Sequence, residues 1–268
     1  MSLKFTILGC GTSTGVPRVD GEWGACDPSN PKNRRRRCAL LVEKAGPGGV
    51  TTVLIDTGPD IHAQLQDAKV QRLDGVLYTH DHADHTHGID DLRILAYRMK
   101  KRIDVYFNAY TGEVLNKRFD YCFATQPGSS YPPILKGHVI VPLKPVIVSG
   151  PGGVIDVLPF LQHHGEVDSL GFRIGGLAYS SDVVDFPPET LPMLNELDIW
   201  ILDALRPATH PSHLNVAQAL DWVKRLQPRR TILTHMHMDL DYDRLQGELP
   251  EGVEPAYDGM VIKLSPAL

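Results

Sequence analysis

The sequence predicts an α/β protein whose sheets are covered by helices, and three observations carry that prediction. Short β-branched and aromatic runs, ended by Gly, Pro or Asp, recur along the whole chain. Fewer stretches show the three-to-four-residue apolar spacing of helices, and these alternate with the strand runs. The 268 residues, 42% hydrophobic and 22% charged, have ordinary globular composition and suffice to bury a sizeable core. With no internal repeat or low-complexity tract, one domain over 1–268 is expected.

In chain order the strand runs are LKFTILG, CALLVEKA, TTVLID, LDGVLYTH, IDVYFNA, HVIVPL, GFRIGGLAYSSD, LDIWILDA, RRTILTH and GMVIKLS. AGPGGV at 45–50, the one Gly-Pro-rich interruption, reads as a hairpin loop between the second and third. The helical stretches are DIHAQLQDA after Pro59, IDDLRILAYRMKK, PPETLPMLNEL, and NVAQALDWVKRLQP, the last capped by Asn215.

Composition also excludes. No apolar run approaches the roughly 20 residues that span a bilayer, and MSLKFTILGCG runs into glycines without a signal-peptide core, so a cytoplasmic protein away from membranes is expected. Cys10, Cys26, Cys38 and Cys122 stand far apart with no Cys-x-x-Cys pair, which predicts reduced thiols. A net charge of −5 argues against an extended nucleic-acid footprint. Arg34, Arg35, Arg36 and Arg37 are the exception; a run of this kind can grip phosphate, but its ordinary place is a solvated loop before a strand, and that is the expectation here.

Chemistry concentrates in THDHADHTHG, Thr79–Gly88, directly after the run LDGVLY, where a buried strand ends. Imidazoles and carboxylates suit zinc and accept manganese or iron. His80 and His82 alternate with Asp84 and His85, so one pair can serve one ion and the other pair a second. Candidates to complete the set each end an apolar run: His164 in LQHHG, Asp182 in AYSSD and His235 in TILTH. His163 competes with His164, and the stretch HGEVDSLGFRIG favours the latter. His62, His87, His138, His210 and His237 are read as surface, packing or supporting residues.

THDHADH resembles the His-x-His-x-Asp-His signature of metallo-β-lactamase-fold hydrolases, and His164, Asp182 and His235 match that family's later motifs in order across nearly the whole chain. The resemblance implies an αββα four-layer sandwich with two divalent metal ions, zinc or manganese, at one edge. It implies that His80, His82 and His164 bind the first ion, that Asp84, His85 and His235 bind the second, and that Asp182 bridges them. Asp56 in LIDTG matches the early acidic motif and would orient the metal loop.

Two divalent ions, set against Asp84, Asp182 and a bridging hydroxide, leave about one positive charge, which suits a singly charged phosphodiester. A leaving alkoxide needs a proton, and His213 in ATHPSHLNVAQAL is the candidate acid, with His210 the competitor. In tRNase Z and PhnP-like phosphodiesterases a histidine in a similar place is assigned that task. The catalytic assignments are His213 and, beside its ligand role, Asp84. ILGCGTSTGVP and SHLN together resemble the PhnP-like branch, which implies a small, cyclic substrate: a ribosyl cyclic phosphate or a cyclic nucleotide. GCGTSTG can cradle phosphate through backbone N–H groups or simply make a tight turn, so no binding residue is assigned there. Some PhnP-like proteins hold a structural zinc by cysteines and a histidine. With only Cys26, Cys38 and, as a third, His237 at hand, no such zinc is expected.

The alternatives are a tRNase Z-like RNA-processing nuclease, a thioester or lactam hydrolase, and, outside enzymes, a nucleotide-binding module. The expected partner is a small phosphodiester or nucleotide substrate; extended nucleic acid is not expected, and a homodimer is left open.

Overall fold

A computed structural model describes residues 2–264. The first half runs β1 (Leu3–Gly9), β2 (Ala39–Gly46), β3 (Gly49–Ile55), α1 (Ile61–Asp67), β4 (Gly75–Leu77), α2 (Ala83–Thr86), α3 (Arg93–Met99), β5 (Ile103–Phe107), α4 (Ala109–Arg118), α5 (Asp120–Phe123) and β6 (Leu135–Val139). The second runs β7 (Val146–Gly150), β8 (Gly153–His164), β9 (Val167–Ile174), β10 (Leu177–Ser180), β11 (Ile199–Asp203), α6 (Val216–Leu226), β12 (Arg230–Thr234), α7 (Tyr242–Glu248), β13 (Val253–Pro255) and β14 (Val261–Leu264).

Two seven-stranded sheets result, ordered β14-β1-β2-β3-β4-β5-β6 and β13-β12-β11-β10-β9-β8-β7. Each is antiparallel on one side and parallel on the other: β3 to β6 in the first, β10 to β13 in the second. Strand periodicity explains the layering. Leu40 and Val42 enter the core between the sheets with Phe160, Phe172 and Ile201. Leu41, between them in sequence, faces the opposite way, where Leu54, Val76 and Tyr78 pack with Ile61 and Leu65 of α1 and Leu95 of α3. On the far side α6 contributes Ala219, and its Trp222 meets Phe186 edge to face. The architecture is the expected αββα sandwich.

Several elements depart from expectation for local reasons. HVIVPL does not form one strand: β6 ends at Val139, in register with Phe107, and Pro142 and Pro145, which lack an N–H, separate it from β7. GFRIGGLAYSSD divides into β9 and β10, because Gly175 turns the chain with φ 61°. PPETLPMLNEL is 3₁₀-helical over Pro188–Leu194, with Pro192 inside where an α-helical hydrogen bond would be needed. IDDLRILAYRMKK begins as a 3₁₀ turn, Ile89–Leu92, before α3. GMVIKLS holds β14, its Ser265 lying outside the described residues. AGPGGV is the expected hairpin loop, closing where Gly46 faces Gly49, and Asn215 caps α6 through a reciprocal pair with Gln218.

Three of the four arginines depart from the solvated-loop expectation, while Arg34 is exposed as expected. Arg35 is 1% exposed, and its guanidinium donates to the carbonyls of His237 (3.2 Å) and Leu240 (2.6 Å) and to Asn33 Oδ1 (3.3 Å). Arg36 pairs with Asp258 and Asp67, and Arg37 with Asp60. The run therefore joins the segment 10–38 to the segment after β12.

Candidate active site

The site sits where strands of both sheets end. α2 follows the short loop after β4, and His164, Asp182, Asp203 and His235 lie at or just beyond the ends of β8, β10, β11 and β12. Asp56, Asp182 and His235 all have left-handed backbone, with φ of 65°, 53° and 57°. This conformation costs a non-glycine residue about 1–3 kcal/mol, and here it turns each chain sharply as it leaves its sheet.

The structure brings all seven sequence-identified candidates together. His80, His82 and His164 form one group and Asp84, His85, Asp182 and His235 another, each with its ligand-type atoms within 4.8 Å of one another. Asp182 lies between the groups: its Oδ2 is 3.1 Å from His85 Nε2, and its Oδ1 is 3.3 Å from His235 Nε2, 3.8 Å from His164 Nε2 and 4.0 Å from His80 Nε2. Asp84 Oδ2 is 3.3 Å from His85 Nε2 and 3.8 Å from His235 Nε2.

Most of these rings are fixed from behind. His80 Nδ1 meets Thr79 Oγ1 at 2.9 Å, His85 Nδ1 meets Asp56 Oδ2 at 2.7 Å, and His164 Nδ1 meets the Ser212 carbonyl at 2.7 Å. Asp56 also accepts from the Thr79 N–H and hydroxyl, tying the loop to the end of β3. The Nε2 atoms of His80, His85 and His235 and Oδ2 of Asp182 are buried without a hydrogen-bond partner among the described residues. Buried polar atoms are rarely left so. Several lone pairs aimed at one another and locked from outside fit a bound cation.

The carboxylates favour positive charge at the centre of the cluster. Burial would lower His85, but Asp182, Asp84 and Asp56 outweigh it and hold its pKa well above the usual imidazole value. Burial would raise Asp182, yet His235 and His85 hold it well below the carboxylate range. Burial takes His164 down to about 4 and His80 well below its ordinary value, leaving both neutral with a lone pair to give.

His213 lies beside this set, its ring stacked on His235 at 4.5 Å and 4.6 Å from that of His164. Its Nδ1 is 2.7 Å from Asp203 Oδ2. Sequence reasoning missed Asp203, although a signal was present: it ends the apolar run IWILD as Asp56 ends TTVLI. The Ser212 carbonyl carries no sequence signal at all. His163 is exposed and pairs with Asp168, while His164 is 2% exposed at the cluster. His62 pairs with Asp91, His138 with Asp104 and His237 with Asp239; His87 packs on Phe119, and His210 meets Ser212. Cys26 lies against the carbonyls of Met238 and Leu240, and Cys38 against Gly11 and Thr234.

A family model described as a beta-lactamase superfamily domain matches residues 51–236, and the chain belongs to that superfamily. A crystal structure of a diphosphatase from the PhnP family is 32% identical, covers 98% of each chain and superposes with a TM-score of 0.88. The short form of human tRNase Z shares the fold at 18% identity, with 97% and 98% of the two chains covered and a TM-score of 0.67. A Porphyromonas gingivalis protein named octanoyltransferase is 32% identical over 264 residues, 96% of this chain and 51% of that one. A Bradyrhizobium ribonuclease Z is 28% identical over 179 residues, 63% of this chain and 49% of its own. The chain thus spans about half the length of the curated relatives it matches. It is a PhnP-like member of the metallo-β-lactamase fold, and that fold implies divalent metal ions. Among the described residues no helix is long and apolar enough to cross a membrane.

Proposed function

We propose that the chain is a phosphodiesterase for a small, cyclic phosphodiester, a ribosyl cyclic phosphate or a cyclic nucleotide. His80, His82 and His164 would hold one divalent cation, Asp84, His85 and His235 a second, and Asp182 both, zinc or manganese being the ions this donor set accepts. The observation that carries the reading is the set of buried, unpartnered Nε2 and carboxylate atoms converging beside the His213–Asp203 pair. Bound cations would supply Lewis acidity toward a phosphoryl oxygen and lower the pKa of water toward neutrality.

The remaining work falls to the chain. Asp56, Thr79 and the Ser212 carbonyl fix the rings that must face inward. Asp84, with 13% of its side chain exposed against 2% for Asp182, is the carboxylate that meets the entering water and substrate. His213, its Nδ1 engaged and its ring oriented by Asp203, has Nε2 free to protonate the departing alkoxide.

The burial of Arg35 and the pairing of Arg36 and Arg37 favour a small substrate over RNA, because they consume the charges an RNA platform would need. The octanoyltransferase name belongs to a protein about twice this length, and the imidazoles and carboxylates gathered here suit water activation rather than acyl carriage. The test is a panel of cyclic and linear phosphodiesters, a lactam and a thioester, run beside metal analysis. Turnover of a cyclic diester with two bound ions is expected; hydrolysis of the lactam or thioester with every diester untouched would overturn the reading.

A further inference from the structure

Asp182 holds its carboxylate between the two groups of imidazoles from a backbone that leaves its sheet with φ 53°. The ladder between β10 and β11 stops at Ser180, and the peptide groups that follow are met by side chains instead. The Ser181 carbonyl accepts from Gln162 Nε2 at 3.0 Å, the Asp182 carbonyl accepts from Ser169 Oγ at 2.8 Å, and the Val183 N–H donates to Asp203 Oδ2 at 3.0 Å. Asp203 also serves His213. Gln162 and Ser169 lie outside the donor set and are fully buried.

These two residues face each other in register across β8 and β9, and the Gln162 amide donates to Ser169 Oγ at 3.1 Å. The hydroxyl accepts from the amide and gives its own proton to the Asp182 carbonyl, so one chain of hydrogen bonds runs from β8 through β9 to the turn. Strand residues alternate between faces, and Gln162 shares the buried face of β8 with Phe160 and with His164, two residues on. Beside Ser169, the Leu170 N–H donates to the Thr79 carbonyl at 2.8 Å, at the root of the loop that carries His80 and His85. The same pair of strands thus grips His164, that loop and the Asp182 turn.

Stability alone does not account for the amide. Gln162 Oε1 is buried without a hydrogen-bond partner among the described residues, a penalty that an apolar side chain of similar size would avoid. Room is also kept for it: a Cβ at Gly171 would stand 2.5 Å from Gln162 Oε1 and 2.1 Å from the Phe160 ring. A polar group retained under those conditions beside a ligand turn is explained by what its N–H groups hold.

We infer that Gln162 and Ser169 are positioning residues for Asp182, a clamp that sets where this shared carboxylate stands relative to His164 and His85 and so governs how tightly the divalent cations are held. The inference rests on the metal-binding part of the proposed function and extends it to two side chains that are not ligands.

Competition of the zinc-loaded protein against a chelating dye tests it, beside thermal unfolding of the chelator-stripped protein. Ser169→Ala, which takes away only the hydroxyl, should weaken zinc retention by about 10- to 100-fold, the usual effect of losing a group that orients a ligand. Gln162→Met should do the same, and Ser169→Ala carries the test if that variant does not fold. Ser169→Thr, which returns the hydroxyl, should recover most of the affinity. The visible spectrum of the cobalt-substituted protein follows the arrangement of ligands rather than the stability of the fold; it should change in Ser169→Ala and return in Ser169→Thr. Wild-type zinc retention and an unchanged cobalt spectrum in Ser169→Ala, with or without a lower unfolding temperature, would overturn the clamp and leave a purely structural contact. Equal loss in the Ala and Thr variants would assign the effect to packing and overturn it too. A wild-type protein that retains no zinc sinks the metal reading and the clamp together, whereas two ions held equally well by wild type and variants sink the clamp alone.

Discussion

Two buried polar regions lie at the same edge of the sandwich and differ in one respect. Around Arg35 and Arg36 both terminal nitrogens of Arg35, and Nε and Nη1 of Arg36, find acceptors within the protein, in main-chain carbonyls, Asn33, Asp258 and Asp67, and only Arg35 Nε of these two side chains is buried without one. Around Asp182 the carboxylates and imidazoles are braced from behind, yet several inward-facing atoms have no internal partner. Buried polarity satisfied from within acts as architecture, whereas buried polarity left open inward requires something from outside. Substitution in either region should reveal which kind it is.

The largest effect is expected at Asp182. Asp182→Ala removes the atom that both groups share, so metal analysis should show both ions depleted and turnover lost, with the fold retained by circular dichroism. A variant that keeps two ions and full rate would show that the region is internally satisfied after all. His213→Ala comes next. One of its ring nitrogens lies within 4.8 Å of ligand-type atoms of His164 and Asp182, so it is placed to act as an acid or as a ligand. As an acid, its loss should leave metal content intact and slow diesters with poor leaving groups by about 10²- to 10⁴-fold, with little effect on p-nitrophenyl leaving groups. Loss of metal would make it a ligand.

How far the sequence disclosed this contrast depended on what each region encodes locally. The loop His80–His85 and the strand-end residues His164, Asp182 and His235 were legible because ligand types at the ends of apolar runs are a pattern in one dimension. The left-handed turns that aim Asp182 and His235 were not legible: Asp and His are enriched at positive φ, but only a small share of them adopt it, so residue type alone does not mark the turn. Asp203 was missed because only its contact with His213, ten residues later, separates it from an ordinary strand end. The arginine run was misread for the same reason. The carbonyls that accept from Arg35 lie on the segment after β12, 202 and 205 residues away, so a charge run without those contacts looks like solvated loop. Strand β8 was obscured by Pro159, which breaks the run although the strand continues through it.

In the satisfied region, Arg35→Met keeps the bulk of the side chain but leaves the His237 and Leu240 carbonyls without their donor. The expected loss is about 1–3 kcal/mol of stability by denaturant unfolding, with metal content unchanged. Depletion of metal in a folded Arg35→Met protein would instead mean that this staple holds the segment carrying His235 in place, and the two regions would no longer be separable.

The smallest effect is a pH dependence at Asp258, which joins Cys10 to Arg36: its Oδ1 accepts from the Cys10 N–H at 3.1 Å and its Oδ2 from the Arg36 N–H at 2.9 Å. Burial pushes its carboxyl up to about 6, against the lowering effect of the Arg36 N–H and guanidinium. In the unfolded chain the same group titrates near about 3.9. Between those values the folded protein holds a proton that the unfolded chain has released, so this group's contribution to stability is full below about pH 4 and is lost as pH rises to about 6. Asp258→Asn cannot ionise, and unfolding midpoints measured from pH 4 to 7 should lack that component, the variant losing least relative to wild type at the upper end. A difference between the two proteins that stays constant across the range would mean that Arg36 keeps Asp258 ionised throughout, making the pair a plain ion bridge.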